Sequence, residues 1–226
     1  MAGVKPLSTP LSSTKHLSKT SGTLLADPTE YQSIVGALQY AILTRPNIIY
    51  AVNKACQFLA QPTDLHWQGV KCILQYLKGT ILHRLQIYDQ SSWALSAFFD
   101  ADWASCPDDR KSTSGYLVYL GRNLVSWQSR KQHIVACLSI ESEYRALALA
   151  TIELTWLQSL LGELGIPISS PPVIGLQLMA ARGFEAHSHD LKIFVDSAST
   201  LHGDDTSARS RVNGPDLGLE VMEKKI

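Results

Sequence analysis

The sequence is short of cysteine, has no net charge and contains no long apolar run. Its 226 residues hold four cysteines, Cys56, Cys72, Cys106 and Cys137, widely spaced and without a CxxC pair. That spacing argues against a zinc site, a disulfide framework would be unusual at this length, and a reducing compartment is the simpler expectation. Twenty basic side chains balance 20 acidic ones, so overall charge neither indicates nor excludes a nucleic-acid partner, and local charge must decide. No stretch of about 18 apolar residues occurs, and the opening MAGVKPLSTPLSSTKHL has no apolar signal core. The expectation is an intracellular protein, cytoplasmic or nuclear, that is not secreted and has no membrane partner.

What is present changes texture along the chain. Residues 1–26 are rich in Ser, Thr, Pro and Lys and read as an extended lead-in. Asp27, Pro28 and Glu30 then form a helix start, with Asp27 as N-cap and a helix running to about Leu43. Pro46 opens a second helix with Ile49, Val52, Cys56 and Leu59 at helical spacing. Thr63 caps a third, which ends at Gly79. Residues 27–82 are thus read as a helical segment.

Strand texture follows. LQIYD, SSWALSAFFD, SGYLVYLG and LVSWQS are strand-like, with a hairpin turn at Gly121-Arg122-Asn123. A long helix is predicted from Ser139 to about Leu164, stopped by Gly165 and Pro167. PPVIGL reads as one more short strand. Strands, a long helix and a further strand make an α/β or α+β layer pattern over residues 83–175. Beyond it, residues 176–226 contain one strand-like run, LKIFVD, and otherwise lack periodicity.

The chemistry concentrates in FFDADW, residues 98–103. Asp100 and Asp102 end an apolar strand, and a solvated turn, a calcium loop and a metal-dependent site are the alternatives. An EF-hand loop is excluded, because the fifth and sixth positions counted from Asp100 are Ala104 and Ser105. Alternation puts Asp100 on the face of Ser96 and Phe98, where an acid needs a partner or a metal. The long helix supplies Glu141 and Glu143. At about 100° per residue, Glu143 lies within roughly 40° of Leu147, Ala150, Leu154, Leu157 and Leu161. That stripe must pack on the sheet. Glu141 falls about 160° from Glu143, toward water or the helix N-terminus. Asp100 facing Glu143 would make half of a site for magnesium or manganese. Between them, six basic residues and two acids lie from Arg110 to Arg145. That fits either a groove for a phosphate backbone or an ordinary charged strand edge.

DADWA, RKSTSGY, SWQSRKQ and SIESEYRALA together resemble the ribonuclease H domain of copia-type LTR retrotransposon Pol polyproteins. Residues from EYQSIVGALQY to CILQYLKGT are similar to the segment that follows their reverse-transcriptase core. The match runs from about residue 4 to residue 174. The resemblance implies a ribonuclease H-like mixed sheet with a long packing helix, preceded by a small bundle of about three helices. It implies cleavage of the RNA strand of an RNA–DNA hybrid with two divalent ions, Mg2+ or Mn2+. Asp100 and Glu143 match catalytic metal ligands. Arg110, Lys111, Ser112, Arg130 and Lys131 are the expected substrate contacts, and Asp102 is motif context. The partners implied are the hybrid and an upstream reverse-transcriptase core in the full polyprotein. No YVDD-like sequence occurs, so polymerisation is not expected.

Two departures from the family pattern stand out. The family's third metal-ligand aspartate, in a CDN-type strand end, aligns with Gln177, and its asparagine with Leu178. Residues after Gly175 read as a divergent tail on a truncated domain. Asp196, in FVDSAS, is the remaining candidate for the missing ligand, although it lies 19 residues late (196 − 177). His187 and His189 are a weaker metal signal.

Overall fold

The computed structural model describes residues 5–11, 17–89, 93–168, 170–176 and 220–222. The first four helical elements of the fold follow their sequence signals. Helix α1 spans Thr29–Ala41, and Asp27 accepts the Thr29 N–H at 2.9 Å. The N-cap position itself falls on Pro28, one residue later than the sequence predicts. A short 3-10 turn at Pro46–Ile48 leads into α2, Ile49–Cys56. Helix α3, Asp64–Gly79, begins with a capping box in which Thr63 and His66 satisfy each other's backbone N–H groups. Tyr31, Val35, Ile48, Val52, Val70 and Ile73 form the buried centre of this bundle.

The lead-in is less free than its composition implies. Leu25 N–H donates to Pro62 O at 3.0 Å and Asp64 N–H to Thr23 O at 2.9 Å, so residues 23–25 run against the start of α3. Ser18 reaches further, donating its hydroxyl to Asp108, while the Lys19 N–H donates to the same carboxylate at 3.1 Å.

Strands β1 (Leu95–Asp102), β2 (Thr113–Leu120) and β3 (Asn123–Lys131) form an antiparallel meander. Gly121 takes φ +57° in the two-residue turn between β2 and β3, a conformation in which a side chain would be strained. Strand β4, Val173–Leu176, pairs parallel to β1, and a three-residue β5, Glu220–Met222, pairs parallel to β4. The sheet order is β3-β2-β1-β4-β5. The last stretch therefore contributes a strand that its broken, polar sequence does not predict.

Helix α4, Ser139–Glu163, lies on one face of the sheet. Its Ala146, Ala150 and Leu154 pack with Leu95, Ala97, Phe99, Tyr116, Val118 and Ile174. Gly165, at φ +71°, ends it: Gly165 N–H bonds Gly162 O and Ile166 N–H bonds Leu161 O, the paired bonds of a Schellman stop. This mixed sheet, with one long helix packed on it after a three-helix bundle, is the α/β layer arrangement expected from the sequence.

LQIYD, predicted as a strand, is not one. The Asn123 side chain takes the place of a ladder there, accepting the Tyr88 N–H at 2.7 Å and donating to Tyr88 O at 2.9 Å. Leu85 packs beside Phe98, Leu117, Tyr119, Leu124 and Trp127 on the sheet face away from α4. The bundle joins the sheet at β3, where Trp127 Nε1 donates to Ile42 O at 3.0 Å and Asn53 donates to Ser129 O. LKIFVD, with Asp196, and the positions Gln177, Leu178, His187 and His189 lie outside the described residues.

Candidate functional site

Strand β1 carries DAD at its C-terminal end. Asp100 pairs in register with Gly115, and Asp102 with Thr113. The Asp100 carboxylate accepts the Ala101 N–H at 2.8 Å, which turns it along the strand. Trp103 then anchors the next segment, donating its indole N–H to Ala136 O at 3.1 Å. This ties the end of β1 to the connection before α4, a link the sequence reading missed although DADW contains it.

The first turn of α4 separates its two glutamates as the helical geometry predicts. Glu141 accepts the Cys137 N–H at 2.8 Å and pairs with Arg145 at 2.6 Å. It therefore serves the helix start. Glu143 is half-buried, on the side of the helix that carries Ala146, Ala150 and Leu154 into the core.

Gln132 joins these two regions. Its backbone N–H donates to Ser112 O at 2.8 Å, extending the β2–β3 pairing by one bond. Its side-chain amide donates to Ser114 Oγ at 2.7 Å and to Ser142 O at 2.9 Å. Ser142 O can only accept, so the amide orientation is set by that contact. Ser114 is the register partner of Ala101, between Asp100 and Asp102, and Ser142 lies between Glu141 and Glu143. Gln132 is only 8% exposed, and its Oε1 has no hydrogen-bond partner. Burying an acceptor unsatisfied costs about 1–3 kcal/mol. SWQSRKQ is the sequence signal that contains this residue, but nothing in its spacing distinguishes Gln132 from its neighbours.

Asp100 and Glu143 are thus brought to one end of the sheet. They do not share one face, as the pairing from sequence supposed. Leu95, Ala97 and Phe99 turn toward α4, and strand alternation puts Asp100 on the other side with Phe98. β1 also continues to Asp102, so Asp100 precedes the strand's end by two residues. Among the described residues, no group of three or more His, Cys, Asp or Glu side chains could hold a metal ion.

The basic residues divide. Arg110 and Arg130 are exposed, and both lie at the same end of the sheet as Asp100, since β1's end, β2's start and β3's end are in register. Lys131 and Lys111 are engaged by Asp109, at 2.8 and 3.7 Å. Lys131 also donates to Cys106 Sγ at 2.9 Å. Burial pushes the Asp109 carboxyl up, but hydrogen bonds from Lys131, Cys106 and the Lys111 N–H outweigh it and bring it down to about 2. Ser112, expected among the substrate contacts, is fully buried and accepts the Ala104 N–H at 3.1 Å. Its hydroxyl holds the β1–β2 connection together.

No protein-family profile matches the chain. The retrovirus-related Pol polyprotein from transposon RE2 of Arabidopsis thaliana is 49% identical over 174 residues, covering 77% of this chain. The chain spans only 12% of that polyprotein's length. Secreted RxLR effector protein 161 of Plasmopara viticola is 44% identical over 128 residues, which make up 56% of this chain and 90% of the effector. A foamy viral protease-reverse transcriptase solved in complex with double-stranded DNA aligns at 14% identity, covering 91% of this chain and 39% of that one. Its TM-score of 0.39 is too low to add to the fold. Among the described residues, no helix is long and apolar enough to cross a membrane. Over 77% of its length the chain is thus similar to a segment of retrovirus-related Pol polyproteins from transposons.

Proposed function

We propose that this chain is the ribonuclease H-type part of a retroelement Pol polyprotein, acting on the RNA strand of an RNA–DNA hybrid through Asp100 and Glu143. The observation that carries this is the Gln132 amide, which links Ser114, the register partner of Ala101 next to Asp100, to Ser142 next to Glu143. Two carboxylates are hard oxygen donors and suit one magnesium or manganese ion. A divalent ion bound there would supply a more acidic water and charge stabilisation for the leaving oxygen. Asp100 would hold it from β1 and Glu143 from α4, meeting at the end of the sheet because the two do not share a face. Arg110 and Arg130 add exposed positive charge at that end, suited to the hybrid's phosphates. Residues 27–82 correspond on this reading to the segment that follows the reverse-transcriptase core, which would be the partner within a full polyprotein.

A second reading has its own observation. Gln177 stands where the family pattern has its third carboxylate, and two carboxylates hold two ions poorly. On that reading the chain binds nucleic acid without cutting it. A labelled hybrid, with magnesium or manganese, separates the two. Metal-dependent cleavage lost in Asp100→Asn and Glu143→Gln supports the nuclease. Salt-sensitive binding without cleavage supports the binder. Salt-independent binding, or none, with no cleavage removes both.

A further inference from the structure

We infer that Gln132 is a positioning residue: it sets the first turn of α4, and with it Glu143, against the strand that carries Asp100. The inference deepens the ribonuclease H reading and rests on it for its metal-binding consequence. Both amide hydrogens of Gln132 are committed, one to Ser114 Oγ at 2.7 Å and one to Ser142 O at 2.9 Å. These partners belong to different elements, β2 and α4. Each lies beside one of the candidate carboxylates, through the Ala101–Ser114 register and through the chain at Ser142.

Apart from the Trp103 bond to Ala136 O in the lead-in, the other polar ties of this turn are local or long. The Ser142 N–H bond to Leu138 O is long, at 3.4 Å. Leu138, at the N-cap, makes no side-chain cap bond. Glu141 ties the helix to Cys137, its own lead-in, and not to the sheet. Ser142 Oγ is likewise spent locally, on Ser139 O at 2.6 Å. Gln132 also keeps its Oε1 buried without a partner. A side chain chosen only to fill space there would be apolar. An amide with an unsatisfied acceptor is worth keeping for its two donors.

The test uses the full chain and Gln132→Met, which keeps length and apolar volume but removes both donors. Hydrogen exchange at the amides of residues 142–144 should become about tenfold faster, the equivalent of roughly one hydrogen bond. Exchange in the β1–β2 ladder should stay unchanged. Ser114→Ala, which removes one of the two partners, should give a smaller acceleration at the same amides. The midpoint of Mn2+ binding, read from the signal of free Mn2+, should move to about tenfold higher concentration in Gln132→Met while the protein stays fully folded. Asp100→Asn serves as the metal control. Unchanged exchange at residues 142–144 in Gln132→Met would overturn the positioning role. So would uniformly faster exchange across the sheet, which marks a general packing role. If wild type and Asp100→Asn take up Mn2+ alike, the ribonuclease H reading fails, and the exchange result still decides the role of Gln132. If Asp100→Asn loses Mn2+ and Gln132→Met does not, positioning fails and the metal reading stands.

Discussion

Leu154→Ala and Ile152→Ala put the orientation of α4 to a paired test. Leu154 is fully buried among Leu95, Ala97, Phe99, Ala150 and Ile174. Ile152, on the other side of the helix, is 66% exposed. Truncating Leu154 removes three buried carbons, about 0.8 kcal/mol each. The cavity left behind adds to that transfer loss, and the total should come to about 3 kcal/mol, within the range of about 2–5 for buried Leu→Ala changes. Ile152→Ala should cost less than about 0.5 kcal/mol. Urea unfolding followed by circular dichroism reads both, and the midpoint should move strongly in the first variant and barely in the second. Glu143 lies near the angular position of Leu154 and about 180° from Ile152. Equal losses in the two variants would refute the facing of α4, and Glu143 could not then point toward the sheet.

Three further outcomes are expected. His66 is stacked on Phe58 with centroids 3.8 Å apart, accepts the Thr63 N–H on Nδ1 and contacts Ser18 O through Nε2 at 3.1 Å. Burial lowers its pKa from 6.5, against a smaller upward pull from Ser18 and from Asp108 and Asp64. The unfolded chain therefore takes up the proton first, so stability holds above about pH 6.5 and falls below it, by at most about 1.4 kcal/mol per pH unit. Urea midpoints across that window should lose this slope in His66→Gln. For Asp109, Lys131→Met should return the carboxyl pKa from about 2 toward 3.8 in an NMR titration. The stabilisation it removes is present above the unfolded value and lost as pH falls toward 2; at a side chain 38% exposed, screening keeps it to about 1 kcal/mol or less. Trp127→Phe removes the indole bond to Ile42 O and should cost about 1 kcal/mol in urea unfolding; no loss would mean that this bond does not help hold the bundle to β3.

Local signals in the sequence carried the helices because each depends on a few neighbouring residues. The Thr63 cap, the Gly165 stop and the separation of Glu141 from Glu143 around α4 depend only on nearby residues, and the structure shows all three. Features that depend on distant partners were not legible in this way. LQIYD has strand composition, but its backbone finds the Asn123 amide 35 residues away in place of a neighbouring strand. Lys111 and Lys131 look like free positive charge until Asp109 is placed between them. Ser112 reads as an exposed motif serine until β3 pairs beside it and buries it. Alternation correctly put Asp100 with Phe98, but which face α4 would choose was not fixed by either segment alone. Only the packing of Leu95, Ala97 and Phe99 decides it.

The central claim is that Asp100 and Glu143 serve a metal-dependent nuclease centre. Cleavage of the RNA strand of a labelled RNA–DNA hybrid tests it most directly, with the full chain, Asp100→Asn and Glu143→Gln compared with and without magnesium. The expected result is magnesium-dependent cleavage by the full chain and at least about a hundredfold loss in either variant. Equal cleavage by all three chains, or none by the full chain with magnesium or manganese, would contradict it.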